Sequence, residues 1–137
     1  MNPSCKPTVD MRLAGGGADE FARMGTYVAS SDMSGSVEFY QAIFERQPVI
    51  RVDDFVAFDI AGGLFGIVAR ERYAAGSIPG SGSVPYIAVE DLEMVRARAA
   101  TILIGPVPGV IVEPGIRLLK LHDPDHQLVE FYCLTST

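Results

Sequence analysis

The sequence predicts an α+β fold made of two tandem βαβββ modules, and three observations carry that prediction. The first is an internal repeat: Tyr27-Val28-Ala29-Ser30-Ser31-Asp32-Met33 aligns without gaps on Tyr86-Ile87-Ala88-Val89-Glu90-Asp91-Leu92, 59 residues further on, with Tyr, Ala and Asp identical. The second is a correspondence at an offset of 63, where Phe58 to Val68 (FDIAGGLFGIV) lies over Leu121 to Phe131 (LHDPDHQLVEF). Each of these stretches reads as an apolar strand, a tight turn and another apolar strand. The third is composition: 14 glycines and 9 prolines in 137 residues are more than a helix bundle carries, and they call for many short elements joined by turns.

In the first module, residues 25–31 alternate as a strand. Ser34 then offers a cap to a helix whose apolar face is Val37, Tyr40, Ile43 and Phe44 and which ends near Glu45 to Pro48. Three short strands follow, near 48–53, 55–60 and 64–70, divided by Asp53-Asp54 and by Ala61-Gly62-Gly63. In the second module a strand near 84–89 leads into a helix with Leu92, Val95, Ala99 and Ile102 on one face, stopped by Gly105-Pro106. Strands near 109–113, 116–122 and 127–133 complete it, turning at Glu113-Pro114-Gly115 and at Asp123-Pro124-Asp125-His126. The chain thus divides into an N-terminal arm at 1–22 and one domain at 23–133. Within the domain, module 1 is 23–73, a Gly- and Ser-rich linker is 74–83 and module 2 is 84–133. One such module cannot bury enough surface alone, so two must share a core, and a homodimer is expected.

Seventeen acidic against eleven basic residues, a net charge of -6, leave no basic surface for a phosphate backbone, so nucleic acid is not an expected partner. A small neutral or cationic organic molecule fits that balance better. No run reaches the roughly 18 apolar residues of a membrane span, and Asp10, Asp19 and Glu20 interrupt the first twenty residues, which hold no signal-peptide run. Cys5, in the arm, and Cys133, at a strand end, make no disulfide framework, and a cytoplasmic location is expected. Gly15-Gly16-Gly17 and Gly80-Ser81-Gly82 lack the strand, helix and Lys of a phosphate loop. No Ser-His-Asp or Cys-His constellation is readable.

Several segments together resemble the vicinal oxygen chelate superfamily, which holds glyoxalase I, extradiol dioxygenases, fosfomycin resistance enzymes and bleomycin resistance proteins. They are Ser31-Asp32 closing the first strand, Phe39-Tyr40 in the helix, Val89-Glu90-Asp91-Leu92, and the ending Asp123-Pro124-Asp125-His126-Gln127-Leu128-Val129-Glu130-Phe131, which is similar to D-P-D-G-N-x-[IVL]-E-[LF]. The resemblance covers about 24–133 and implies a curved mixed sheet with helices on its outer face; for substrate it is unspecific. Two residues depart from it: His126 stands where glycine is usual, in a turn position that calls for a left-handed backbone, and Glu45 stands where a glycine often ends the first helix.

In metal-dependent members of that superfamily four ligands line a cup. Carried over one at a time, their positions fall on Gly25, on Ile67 by the gapless repeat, on Val84 and on Glu130. One carboxylate cannot replace the hydration shell of a divalent ion, so no metal site and no cofactor is expected, although a slip of one residue would bring Asp59 or His122 nearby. His122 and His126 flank the Asp-Pro-Asp turn, where an Asp-His pair can serve as a general base or a metal corner; the plainer reading is a solvated turn with His126 exposed. If Glu130 faces the cup, strand alternation gives it a lining of Tyr27, Ile67, Val84, Tyr86, Leu128, Glu130 and Tyr132, with Val129 and Phe131 beneath the helices. Such a lining suits an aromatic or cationic organic ligand, Glu130 accepting a hydrogen bond or pairing with a cation.

Three functions stay open at this point. They are metal-independent binding of such a ligand, as the drug-binding branch of the resemblance implies; glyoxalase- or dioxygenase-type catalysis with Glu130 as base or ligand; and a scaffold whose cup is filled by its own side chains.

Overall fold

The computed structural model describes residues 20–136; Cys5 and the Gly15-Gly16-Gly17 run lie outside the described residues. The chain runs β1 (Gly25–Ser30), α1 (Met33–Phe44), β2 (Ile50–Val52), β3 (Phe55–Ile60), β4 (Gly63–Ala69), α2 (Arg70–Tyr73), β5 (Tyr86–Ala88), α3 (Leu92–Ala99), β6 (Ile111–Glu113), β7 (Ile116–His122) and β8 (Leu128–Leu134). These strands form two four-stranded mixed sheets of the same topology, β1-β4-β3-β2 and β5-β8-β7-β6, in which the first and last strands of each module pair in parallel. No helix among the described residues is long and apolar enough to cross a membrane.

The aspartate that the repeat preserves has a local purpose. Asp32 accepts the Gly35 N–H at 3.3 Å, and Asp91 accepts those of Glu93 and Met94 at 3.0 and 3.3 Å, so both helices start on an Asp N-cap. Such a cap contributes about 1 kcal/mol. The first helix therefore begins at Asp32 rather than at Ser34, because Ser30 Oγ accepts the Asp32 N–H at 3.0 Å and turns the chain there. It ends where expected, at Glu45, whose φ of 52° is left-handed. The second helix stops at Ala99, short of Gly105-Pro106. Three-residue turns at Thr101 and Ile102 and the Thr101 hydroxyl on the Arg98 carbonyl take over its free carbonyls. Helix α2 is absent from the sequence reading, which ran strand directly into linker.

One core serves both modules. Helix α1 packs on β4 and on α3, while α3 packs on β7 and β8. Tyr40, Phe44, Phe58, Phe65 and Ile67 from the first module meet Leu119, Leu121, Val129 and Phe131 from the second in one buried cluster. Phe44 stands edge-on to Phe58 and Phe65, with ring centroids 5.4 and 5.1 Å apart.

Candidate functional site

Each sheet turns one face to the helices and leaves the other open. In the second sheet Tyr86, Glu130 and Lys120 lie side by side on neighbouring strands, followed by Ala88, Tyr132 and Leu118 and flanked by Leu128 and His122. The open face therefore presents Tyr86, Leu128, Glu130 and Tyr132 together, while Val129 and Phe131 are buried on the other side. The Tyr86 and Tyr132 rings stand 5.8 Å apart, tilted by 42°. Lys120, directly across from Glu130, escaped the sequence reading. Its place as the polar residue between buried Leu119 and Leu121 is the signal that could have found it.

The first sheet differs. Tyr27 lies beside Gly66, not Ile67, and Ile67 pairs with Val28 on the buried side, fully enclosed in the core. Ile67 is thus removed from the expected lining. The cause is a difference in turn length: four residues separate the paired Asp59 and Leu64, whereas five separate His122 and Leu128. A gapless alignment across the turn is therefore one residue out along the last strand, which exchanges the two faces. Gly66 is required where it stands, since a Cβ there would come within 2.9 Å of the Phe55 ring and 3.2 Å of Tyr27 Cβ.

The seven expected lining residues do not share one cup. Val84 and Tyr86 line a groove of about 640 Å³ at the seam between the modules, with Met24, Gly25, Thr26, Ile60 and Leu64 on its far side and no charged residue in its lining. Tyr27 lines a neighbouring groove of about 420 Å³, between β1, Arg70 and the loop carrying Ser77 to Ser83. Leu128, Glu130 and Tyr132 stay on the open face outside both grooves.

The Asp-Pro-Asp turn also proves different from a solvated one. His122, Pro124 and His126 are exposed, and His126 takes a left-handed φ of 64°. Both carboxylates, however, are buried. Asp123 accepts the Tyr40 hydroxyl at 2.7 Å and the Asp125 and Gln127 N–H groups at 2.8 and 3.0 Å. Asp125 accepts the Ser31 N–H and hydroxyl at 2.8 and 2.9 Å and the Arg70 guanidinium at 2.9 Å. Burial pushes Asp123 above the usual carboxylate range, and the Tyr40 hydroxyl and the two N–H groups pull it only part of the way back. Burial pushes Asp125 up as well, but the bonds from Arg70 and Ser31 prevail and hold it below that range. Burial first, and then the charge of Asp123, push the Tyr40 hydroxyl far up, so it remains a donor. Sequence reasoning missed Arg70 altogether and saw Tyr40 only as part of the apolar face of its helix, not as a partner of this turn. The turn is a clasp between the modules, with no open chemistry.

With the register corrected, the ligand positions that the resemblance implies hold Gly25, Gly66, Val84 and Glu130, which together offer one donor. Among the described residues no group of three or more His, Cys, Asp and Glu lies close enough to hold a metal. These residues do not fit a divalent ion. Cys133 is buried on β8.

No family model and no curated protein matches the chain. Solved structures do match. A glyoxalase/bleomycin resistance protein from Catenulispora acidiphila is 21% identical, with a TM-score of 0.67 over 82% of this chain and 98% of that one. A lactoylglutathione lyase from Agrobacterium tumefaciens is also 21% identical, with a TM-score of 0.62 over 82% of this chain and 92% of the other. A glyoxalase/bleomycin resistance protein from Albidiferax ferrireducens is 20% identical, with a TM-score of 0.63 over 80% and 97%. At these identities the likeness establishes the fold, which is that of the vicinal oxygen chelate proteins.

Proposed function

We propose that the chain binds a small organic molecule with an aromatic or apolar body, without a metal, in the groove at the seam between its modules. One observation carries this reading: a groove of about 640 Å³, walled by Val84, Tyr86, Leu64 and Ile60 and bordered by no charged side chain, opens between the sheets. Tyr86, 71% exposed, is the side chain there free to stack on a ring. Glu130, its neighbour across the strands, lies outside the groove on the open face and accepts a hydrogen bond from, or meets a cationic substituent on, a part of the ligand that projects past Tyr86. Its role is to orient the ligand, with no chemical step assigned to it. The same reading keeps the chain as a homodimer, supported by the exposure of Val52 and Val112 on strands of both sheets.

Calorimetry with a panel of aromatic compounds, neutral and cationic, tests the proposal. At least one compound is expected to bind, Tyr86→Ala to weaken it about fivefold, in line with the roughly 1 kcal/mol of an aromatic contact, and sedimentation of the same sample to report a dimer. A panel that gives no binding, beside a divalent metal that raises the melting temperature, would sink it.

A further inference from the structure

We propose that the ligand of the seam groove is an extended amide of tripeptide length, held by main-chain hydrogen bonds from the free edges of β1 and β5. This rests on the groove being the binding site, and it adds the chemical class of the occupant.

In β5 the Pro85 carbonyl accepts the Glu130 N–H, and the Val89 N–H reaches the Tyr132 carbonyl, both at 2.9 Å. Odd-numbered residues there face β8, so Tyr86 and Ala88 aim their N–H and C=O groups at the opposite edge. In β1 the Met24 carbonyl accepts the Leu64 N–H at 3.2 Å. Even-numbered residues there face β4, and Gly25, Tyr27 and Ala29 aim outward. The Ala29 carbonyl bears this out, because it is taken by Arg70 at 3.1 Å, from outside the sheet.

Both strands are outermost in their sheets, and among the described residues no backbone hydrogen bond joins them across the seam. Exposed strand edges are usually blunted by charged side chains or proline. Arg70 blunts β1 at Ala29, whereas Gly25 on one wall and Tyr86 and Ala88 on the other border a groove lined by no charge. Alternating donors and acceptors between apolar walls match a chain of amides better than a phosphate or a carboxylate, for which the groove lacks a cation. Three residues of β5 span about 10 Å, the length of three residues of an added strand.

Acetyl-Ala-Phe-Ala-amide and its backbone N-methylated analogue distinguish the cases on the full chain. The unmodified peptide is expected to shift the amide resonances of Gly25, Tyr86 and Ala88, and N-methylation to weaken binding at least tenfold. Ala88→Pro removes one outward N–H while leaving the bonds to β8 in place, and is expected to weaken the peptide about fivefold. Equal binding of both peptides, or shifts confined to the open face around Lys120, overturns the amide reading and leaves the groove standing. Failure of the peptides and of the whole aromatic panel overturns both. The methylated pair needs no altered protein, so the test survives if Ala88→Pro does not fold.

Discussion

Asp123 and Asp125 stand two residues apart in one turn, yet their protonation pulls stability in opposite directions. The pKa of Asp123 is raised in the folded chain, so between the unfolded value of about 4 and its own folded value the native state binds the extra proton. Its contribution is therefore full below about pH 4 and is lost as the pH rises through the folded value. The pKa of Asp125 is lowered, so its contribution is full above about pH 4 and is lost as the pH falls through its folded value. From neutrality downward, urea denaturation should show Asp123 adding stability until about pH 4 and Asp125 losing it below. Asp123→Asn is expected to abolish the rise and Asp125→Asn the fall. At pH 7, Asp125→Asn should also cost about 3 kcal/mol, because it leaves the Arg70 guanidinium buried with its charge uncompensated. A fall below pH 4 that survives in Asp125→Asn would place the acid sensitivity elsewhere. Of this pair the sequence displayed only the motif. The partners, Tyr40 and Arg70, lie 83 and 55 residues away, and no local pattern points at them.

At the scale of elements, the two hairpins that close the modules show what the pattern carries and where it stops. Alternation and turn residues located β3, β4, β7 and β8 within a residue or two, because each strand has one buried face and its period of two is strict. The repeat even marked both N-caps, through Asp32 and Asp91. The register of β4 was lost because the β3–β4 turn is one residue shorter than its counterpart, a difference with no signature in hydropathy that moved the expected ligand position from Gly66 to Ile67. That shorter turn is itself a weak point. Ile60 pairs with Gly63, leaving Ala61 and Gly62 as a two-residue loop with φ of 50° and 83°. Two successive left-handed residues define a type I′ turn, which favours Asn-Gly. Ala61 carries a Cβ in a region that costs an ordinary residue roughly 1–2 kcal/mol. Ala61→Asn should therefore stabilise the chain by about 1 kcal/mol, since Asn tolerates this conformation, and should raise the urea midpoint without changing the slope. A midpoint that falls would show that the alanine methyl is used in packing.

Across the whole molecule the question is whether two modules of one design behave as one cooperative unit. They share a single buried cluster, and at one end of the seam a single side chain gathers the connections. Arg70 donates to the Ala29 carbonyl and the Ser31 hydroxyl on the first module, to Ser77 in the connecting loop and to Asp125 on the second. Its ion pair with Asp125 is largely buried, with side-chain exposures of 13% and 7%. Removing the guanidinium strands a buried carboxylate, and Arg70→Ala is expected to cost about 3 kcal/mol. Arg96→Ala, which removes an exposed pair with Glu93, should cost less than about 0.5 kcal/mol. Because the core rather than the clasp joins the modules, the weakened protein should still unfold in one step, with a lower midpoint and an unchanged denaturant slope. A second transition in Arg70→Ala would show instead that the clasp alone holds the modules together, and the seam groove would then depend on Arg70 for its walls.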